Sequence, residues 1–276
     1  MSASIYRNVL TLAKVGVVSW SVVLVLWALL VVWIYPSLGN TGVNFEEYLD
    51  AMPEQLKAAM GIQGPDESAL IFQAGAFTYV GYLNIEYISW LPLLLGIYAV
   101  VYCGGLVSKE VERGTLDVVL SQPVERTTFL LSKLSGFLTL ALIATAFSTI
   151  AVLLGGLTIG EDASVSNVIA VHAVSFLLVA AIAGYSTLAS CVSLDPGRSL
   201  AAAGVLTALT YFVNVLGSAI EAVGWLKYVS LFYYYDSLQV LAEGAINWAG
   251  VGVYVGVFAV TTVSAVLVFR RKDLVR

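Results

Sequence analysis

Charge is the scarce ingredient of this chain. Only 11% of its 276 residues are Asp, Glu, Lys or Arg, under half of the roughly 25% usual in soluble domains. A water-soluble domain is excluded on that ground. Histidine occurs once, at His172, and cysteine twice. One histidine leaves no HExxH pair and no His-rich metal cluster. Cys103 and Cys191 each fall near the same predicted side of an apolar run and are read as packed, reduced thiols. No GxxxxGK[ST] phosphate loop occurs, so the chain shows no nucleotide site of its own. No charged residue falls in the middle third of any long apolar run, where ion- and proton-coupled carriers place ionisable groups. Such a chain has no visible energy source; it works passively or is driven by a partner. Nothing in it points to nucleic acid.

What fills the chain instead is apolar: 59% of its residues are hydrophobic. A helix needs about 20 apolar residues to cross a hydrocarbon core of about 30 Å. Six uncharged stretches reach that length, giving expected spans at 15–36, 87–108, 134–158, 168–193, 199–220 and 248–269. The runs are continuously apolar rather than alternating, which selects helices over barrel strands. The expected fold is an all-α membrane protein, a single polytopic domain over 1–276 with six transmembrane helices.

Basic residues set the orientation. With both termini cytoplasmic, Arg7, Lys14, Lys109, Arg113, Arg126, Lys133, Arg198, Arg270, Arg271, Lys272 and Arg276 share the inner side, leaving Lys57 and Lys227 outside. That is a strong positive-inside asymmetry. Acidic residues are weighted the other way, so the formal net charge of −5 describes a polarised chain. The first span is longer than a signal-peptide core of 7–15 residues and lacks a small-residue cleavage site, so no cleaved signal is expected.

The segments between spans carry further patterns. Residues 4–14 place Ile5, Val9, Leu12 and Ala13 opposite Arg7 and Lys14, which predicts an amphipathic helix along the inner leaflet. Between spans 1 and 2, Phe45, Tyr48, Leu49, Met52, Leu56 and Met60 keep helical spacing against Glu46, Glu47, Asp50 and Glu54. They predict an amphipathic outer helix, with Asn44 and Glu47 as its starting signal. Glu161 and Asp162 mark a short outer turn, and Asp195–Arg198 a tight inner one. Trp225, Tyr228 and Phe232–Tyr235 are expected in an interfacial aromatic belt. His172 is placed near the outer interface, its polar tip reaching water. Ser186 has only His172 as a base, fourteen residues away in one predicted helix; at 1.5 Å per residue the gap is roughly 21 Å, too far for a catalytic dyad.

The inner segment 108–133 is the most informative. Span 2 is expected to continue as a helix, with Glu110 and Arg113 spaced for an ion pair. Gly114 breaks it, Thr115 can cap a new short helix, and Asp117 lies in that helix's first turn. Leu116, Val119 and Leu120 share one face, and Pro123 limits the element. A short helix with an apolar face between two tight turns suits a groove on a cytosolic partner; a solvated loop with snorkelling bases fits the pattern as well.

The run Glu110-x-Glu112-Arg113-Gly114-Thr115-Leu116-Asp117-x-x-Leu120-Ser121-Gln122-Pro123-Val124-x-Arg126 resembles the inner loop of ABC-2 type transporter permeases. Gly81-Tyr82-Leu83 before span 2 and the ending Phe269-Arg270-Arg271-Lys272-Asp273-Leu274 are similar to that family as well. The one departure is Lys272, where an Arg before the Asp is commoner. The resemblance implies a multi-pass cell-membrane permease subunit, pairing with a second permease copy and two copies of an ABC ATPase subunit. ATP and Mg would then sit on the ATPase partner, with no cofactor, metal or catalytic site in this chain. Gly114–Pro123, with Glu110 and Arg113 at its approach, would be the coupling element, and Asp195 and Arg198 would mark a second, shorter coupling turn. Export is the family's habit. A related subunit that transmits force to an outer protein fits the same features; for an intramembrane enzyme no acid, base or metal set converges, and a passive structural or sensory module would not need the inner-loop pattern.

Overall fold

The computed structural model describes residues 3–38, 47, 50–53, 56–57, 70–73, 76–116 and 124–272. The chain opens with α1 (Ala3–Leu12) and, after a one-residue turn, α2 (Lys14–Leu38). A two-residue antiparallel pairing follows, β1 (Phe72–Gln73) with β2 (Ala76–Phe77). Next come α3 (Tyr79–Leu83), a π-helical turn (Asn84–Ile88), α4 (Leu91–Cys103) and α5 (Ser108–Glu112). The long helices α6 (Arg126–Ile159), α7 (Val165–Ser193) and α8 (Pro196–Ala219) precede two 3-10 segments, Glu221–Val229 and Phe232–Tyr235. The chain closes with α9 (Ser237–Glu243) and α10 (Trp248–Arg271). Six helical stretches are long and apolar enough to cross a membrane: α2, the Tyr79–Glu112 series, α6, α7, α8 and α10. All six expected spans are therefore present, making this a multi-pass membrane protein.

Burial identifies α7 as the central helix. Leu178, Val179, Ala181, Ile182 and Ala183 are all fully enclosed, and α7 packs on α4, α6, α8 and α10. Its Cys191 and the Cys103 of α4 are buried and free. With six crossings the chain starts and finishes at one end of the bundle. That end carries Arg126, Lys133, Arg198 and Arg270 and is called the basic end below; Glu161 and Asp162 lie at the opposite, acidic end.

Span 2 departs most from expectation. It starts near Tyr79 rather than Tyr87 and is interrupted twice. The first interruption has a covalent cause. Pro92 occupies the first turn of α4; it has no amide proton, and its ring crowds the carbonyl four residues earlier, at Ile88. That freed carbonyl accepts a hydrogen bond from the Tyr235 hydroxyl at 3.1 Å. The π-turn carbonyls of Asn84 and Ile85 accept from Ser89 Oγ at 2.6 Å and Trp90 Nε1 at 3.1 Å.

Tyr235 reaches Ile88 because the chain turns back after α8. Ser230 Oγ donates to the Thr210 carbonyl at 2.6 Å, and nine residues separate Thr210 from the end of α8, roughly 13 Å of helix. The segment 221–235 thus re-enters the bundle. The expected aromatic belt is corrected accordingly. Trp225 and Tyr228 are exposed as a belt requires, but Phe232 and Tyr235 are buried, because the re-entrant turn delivers them to the core.

His172 also differs from expectation: it is 1% exposed and does not reach water. Its Nδ1 lies 2.8 Å from the Val168 carbonyl, which only accepts, so the ring proton belongs on Nδ1. Nε2 then accepts from Ser148 Oγ at 3.0 Å, and Ser148 in turn accepts from the Tyr87 hydroxyl at 2.6 Å. Spans 2, 3 and 4 are joined through one serine. Ser186 donates to Ile182 of its own helix, and α7 is unbroken from His172 to Ser186, so the two side chains stay apart as expected.

The flanking helices follow the same comparison. α1 packs on α6 through Val9, 5% exposed, and Tyr6, whose hydroxyl is 2.9 Å from Thr139 Oγ1. Leu12 is not covered by the bundle, being 75% exposed, as an apolar side chain turned toward the inner leaflet is. Most of the expected outer helix 45–60 lies outside the described residues. Within it, the Ala51 amide bonds the Glu47 carbonyl at 3.2 Å, and Met52 packs on Ile71, Phe72, Ile85 and Leu238.

Hydrogen bonds between membrane helices average about 0.6 kcal/mol, reaching about 1.7. Ser148→Ala removes the shared hydroxyl and leaves His172 Nε2 without a donor, while Tyr87 keeps only the Leu24 carbonyl at 3.2 Å. It should therefore cost about 1–2 kcal/mol in unfolding from detergent micelles. Thr149→Ala, whose hydroxyl bonds only the Thr145 carbonyl of its own helix, should cost less than about 0.5 kcal/mol.

Candidate functional site at the basic end

The second interruption of span 2 lies at the basic end. Residues 104–107 form a turn before the short helix α5. The first amides of a helix have no partner within it. Here Ser190 of α7 takes that role: its Oγ accepts from the amides of Val107 and Ser108, both at 3.0 Å. The helix then stops at Gly114, whose φ of +67° lies in the left-handed region that glycine enters at little cost. The expected break at Gly114 is present.

Beyond it, Leu116 is 2% exposed and belongs to the main apolar core. This corrects its expected place on a partner-facing surface, since the bundle itself covers it. Thr115 is exposed, and its hydroxyl donates back to the Glu110 carboxylate and, at 3.3 Å, to the Glu110 carbonyl. Thr115 thus closes the turn around Gly114; the amides it would cap in a new helix lie outside the described residues. So do Asp117, Val119, Leu120 and Pro123.

Glu110 also corrects an expectation. Its ion pair is with Lys133 of α6, at 2.5 Å, not with Arg113, whose side chain is exposed. Lys133 is the better partner because it approaches from a neighbouring helix into a half-buried position. Its ammonium also donates to the Leu106 carbonyl at 3.4 Å and stands 4.9 Å from the centre of the Phe129 ring. One lysine thereby ties the 104–107 turn and the helix that follows it to span 3.

Two other cations fasten the end of the chain. Arg126 Nη1 donates to the carbonyls of Lys272 at 2.7 Å and Phe269 at 3.2 Å, covering the open C-terminal carbonyls of α10. Lys272 Nζ donates to the Val192 carbonyl at 2.6 Å. Next to it lies the inner turn. Asp195 Oδ1 accepts from the Arg198 amide at 2.8 Å and so caps α8, while both side chains remain exposed. The structure therefore gathers Glu110, Thr115, Leu116, Asp195 and Arg198 at one end of the bundle, with Glu110 locked inward and Arg113, Asp195 and Arg198 facing out.

Sequence reasoning missed Ser190, Lys133, Arg126 and Lys272 as positioning residues. Lys133 and Arg126 carried a signal as bases flanking the polar segment, whereas Ser190 is one serine among many in an apolar helix. Among the described residues no three His, Cys, Asp or Glu side chains gather to hold a metal. The arrangement is mechanical: a polar segment pinned to three spans at once.

Residues 14–274 match the family model described as ABC-2 family transporter protein. A search of curated proteins finds no match.

Losing a hydrogen bond to a charged group costs about 1.5–3 kcal/mol, whereas an exposed side chain with no fixed partner contributes little. Lys133→Met should thus destabilise the detergent-solubilised protein by about 1.5–3 kcal/mol. Arg113→Met should remain within about 0.5 kcal/mol of the parent. Paired denaturation curves compare the two.

Proposed function

Because the chain belongs to the ABC-2 transporter family, we infer that this permease is driven by ATP hydrolysis on a separate ATPase subunit and works as an exporter. Two such ATPase chains would serve a pair of permease copies, with ATP and Mg bound on the ATPase and no catalytic site in this chain. The basic end faces the cytoplasm in this reading, supported by the clustering there of ten of the twelve Lys and Arg among the described residues.

The observation that carries the proposal is the attachment of segment 108–126. Its start is held by Ser190, its middle by the Glu110–Lys133 pair and Leu116, and its end by Arg126. A push on residues 117–123 would reach span 2 through α5, span 3 through Lys133 and span 4 through Ser190. The second turn, Asp195–Arg198, presents exposed polar side chains beside it. Leu116 is held by the bundle, so we assign the ATPase contact to the residues beyond it, 117–123, with Leu120 as the side chain tested, worth about 1.5–3 kcal/mol if fully buried there.

Two measurements test the reading. Sidedness is read with cysteines introduced at Glu125 and Asp162 and an impermeant maleimide; the native cysteines are both buried, which keeps background low. The two sites should label from opposite faces of the membrane, Asp162 from outside, and labelling from one face sinks the topology.

Coupling is read by co-purification. The chain alone should hydrolyse no ATP, and with its ATPase should form a complex holding two copies of each. Leu120→Asp should lower ATPase capture at least tenfold while the permease still inserts, and Glu125→Ala should leave capture unchanged. Full capture and stimulated hydrolysis with Leu120→Asp would remove segment 114–123 as the coupling element.

A further inference from the structure

The acidic end of the bundle contains a cavity unrelated to the coupling segment. Tyr79, Val152, Gly156, Leu157, Glu161 and Asp162 are among the residues that line it. Its floor is made by the end of α6. Gly160 takes φ of 76°, and the amides of Gly160 and Glu161 both bond back to the Gly156 carbonyl, the second at 3.2 Å. This left-handed closure folds Glu161 over the helix end. Tyr79 enters from α3. It is 5% exposed, yet its hydroxyl has no hydrogen-bond partner, an uncommon and costly state for a buried polar atom. A Cβ on Gly156 would come within 3.1 Å of that hydroxyl and 3.0 Å of the Glu161 carbonyl. Absence of a side chain there lets the tyrosine oxygen lie against the end of α6, beside the Glu161 turn that lines the cavity.

The charge around this space selects a cation. Glu161 and Asp162 line it, and neither forms an ion pair among the described residues. The C-terminal end of α6 adds the negative end of its dipole; the start of α7 opposes it by about half a charge, less than the two carboxylates supply. Calcium takes six to eight oxygens, more than this set offers. An ammonium group has three N–H donors, matching the Tyr79 hydroxyl and the two carboxylates. The walls continue as apolar side chains onto the outer surface of the bundle, where Leu154 and Leu157 are 56% and 68% exposed, so the group bound can carry a hydrocarbon chain into the membrane.

We propose that this cavity binds the primary ammonium group of an amphiphile, through Tyr79, Glu161 and Asp162, with its chain lying along span 3. This goes beyond the transport reading and does not depend on the ATPase. The test is native mass spectrometry of the full chain in detergent with dodecylammonium or phosphatidylethanolamine. Dodecyltrimethylammonium and phosphatidylcholine, which lack N–H donors, are the controls. Each primary amine that the site accepts should bind at least tenfold more tightly than its methylated counterpart. Preference for phosphatidylethanolamine assigns the site to a lipid headgroup, and preference confined to dodecylammonium assigns it to a single-chain amine. Tyr79→Phe, which keeps the ring, and Glu161→Gln, at a partly exposed turn, should each abolish the preference. Equal binding of amine and methylated probe, preference retained in Glu161→Gln, or occupancy by calcium alone would overturn the proposal. Should Tyr79→Phe fail to fold, Glu161→Gln decides alone.

Discussion

Inside an apolar bundle a backbone carbonyl or amide released from its helix has no water to turn to, and must find a partner on another helix or the break is too costly to keep. Each interruption of this chain is built on that constraint. Pro92 frees the Ile88 carbonyl, and Tyr235 arrives from the re-entrant segment to satisfy it. The turn at 104–107 leaves the first amides of α5 open, and Ser190 accepts from two of them. The last carbonyls of α10 are covered by Arg126, and the Val192 carbonyl near the end of α7 by Lys272. Irregular backbone thus becomes connection between spans: the places where a helix stops are the places where another helix is attached.

The same bonds make the basic end one mechanical unit. The Glu110–Lys133 pair is half-buried, and its position matters more than its strength. It joins the approach to Gly114 to a different span from the one that precedes it. Ser190 adds span 4. In the proposed coupling, a push on this end would be shared by three helices.

Much of this was legible in the sequence because the controlling variable was local. Twenty uncharged residues in a row dictate a span wherever they occur, and Gly114 and the Asp195-Pro196-Gly197 run announce turns by their own chemistry. What failed was pairing across distance. Nothing near Glu110 distinguishes Lys133 from Arg113 as its partner, and local spacing favours the wrong one. Leu116 has the pattern of a docking residue and is buried by its own bundle. The aromatic run after Trp225 has the composition of an interfacial belt, while the fold takes Phe232 and Tyr235 into the core. His172 looked like a surface group because its side-chain partner, Ser148, comes from another span and is itself held by Tyr87 of a third.

Span 3 is 34 residues long, about 51 Å at 1.5 Å per residue, well beyond a hydrocarbon core of about 30 Å. It is clasped near Lys133, seven residues from its start and twenty-six from its end. It is stitched again at Thr139 to α1, at Ser148 to spans 2 and 4, and at Thr158, where Trp33 Nε1 of span 1 donates at 3.1 Å. A rod fastened at both ends and in its middle does not pivot on its neighbours. Span 3 is the spine of the bundle, and a displacement at Arg126 would carry spans 1, 2 and 4 with it.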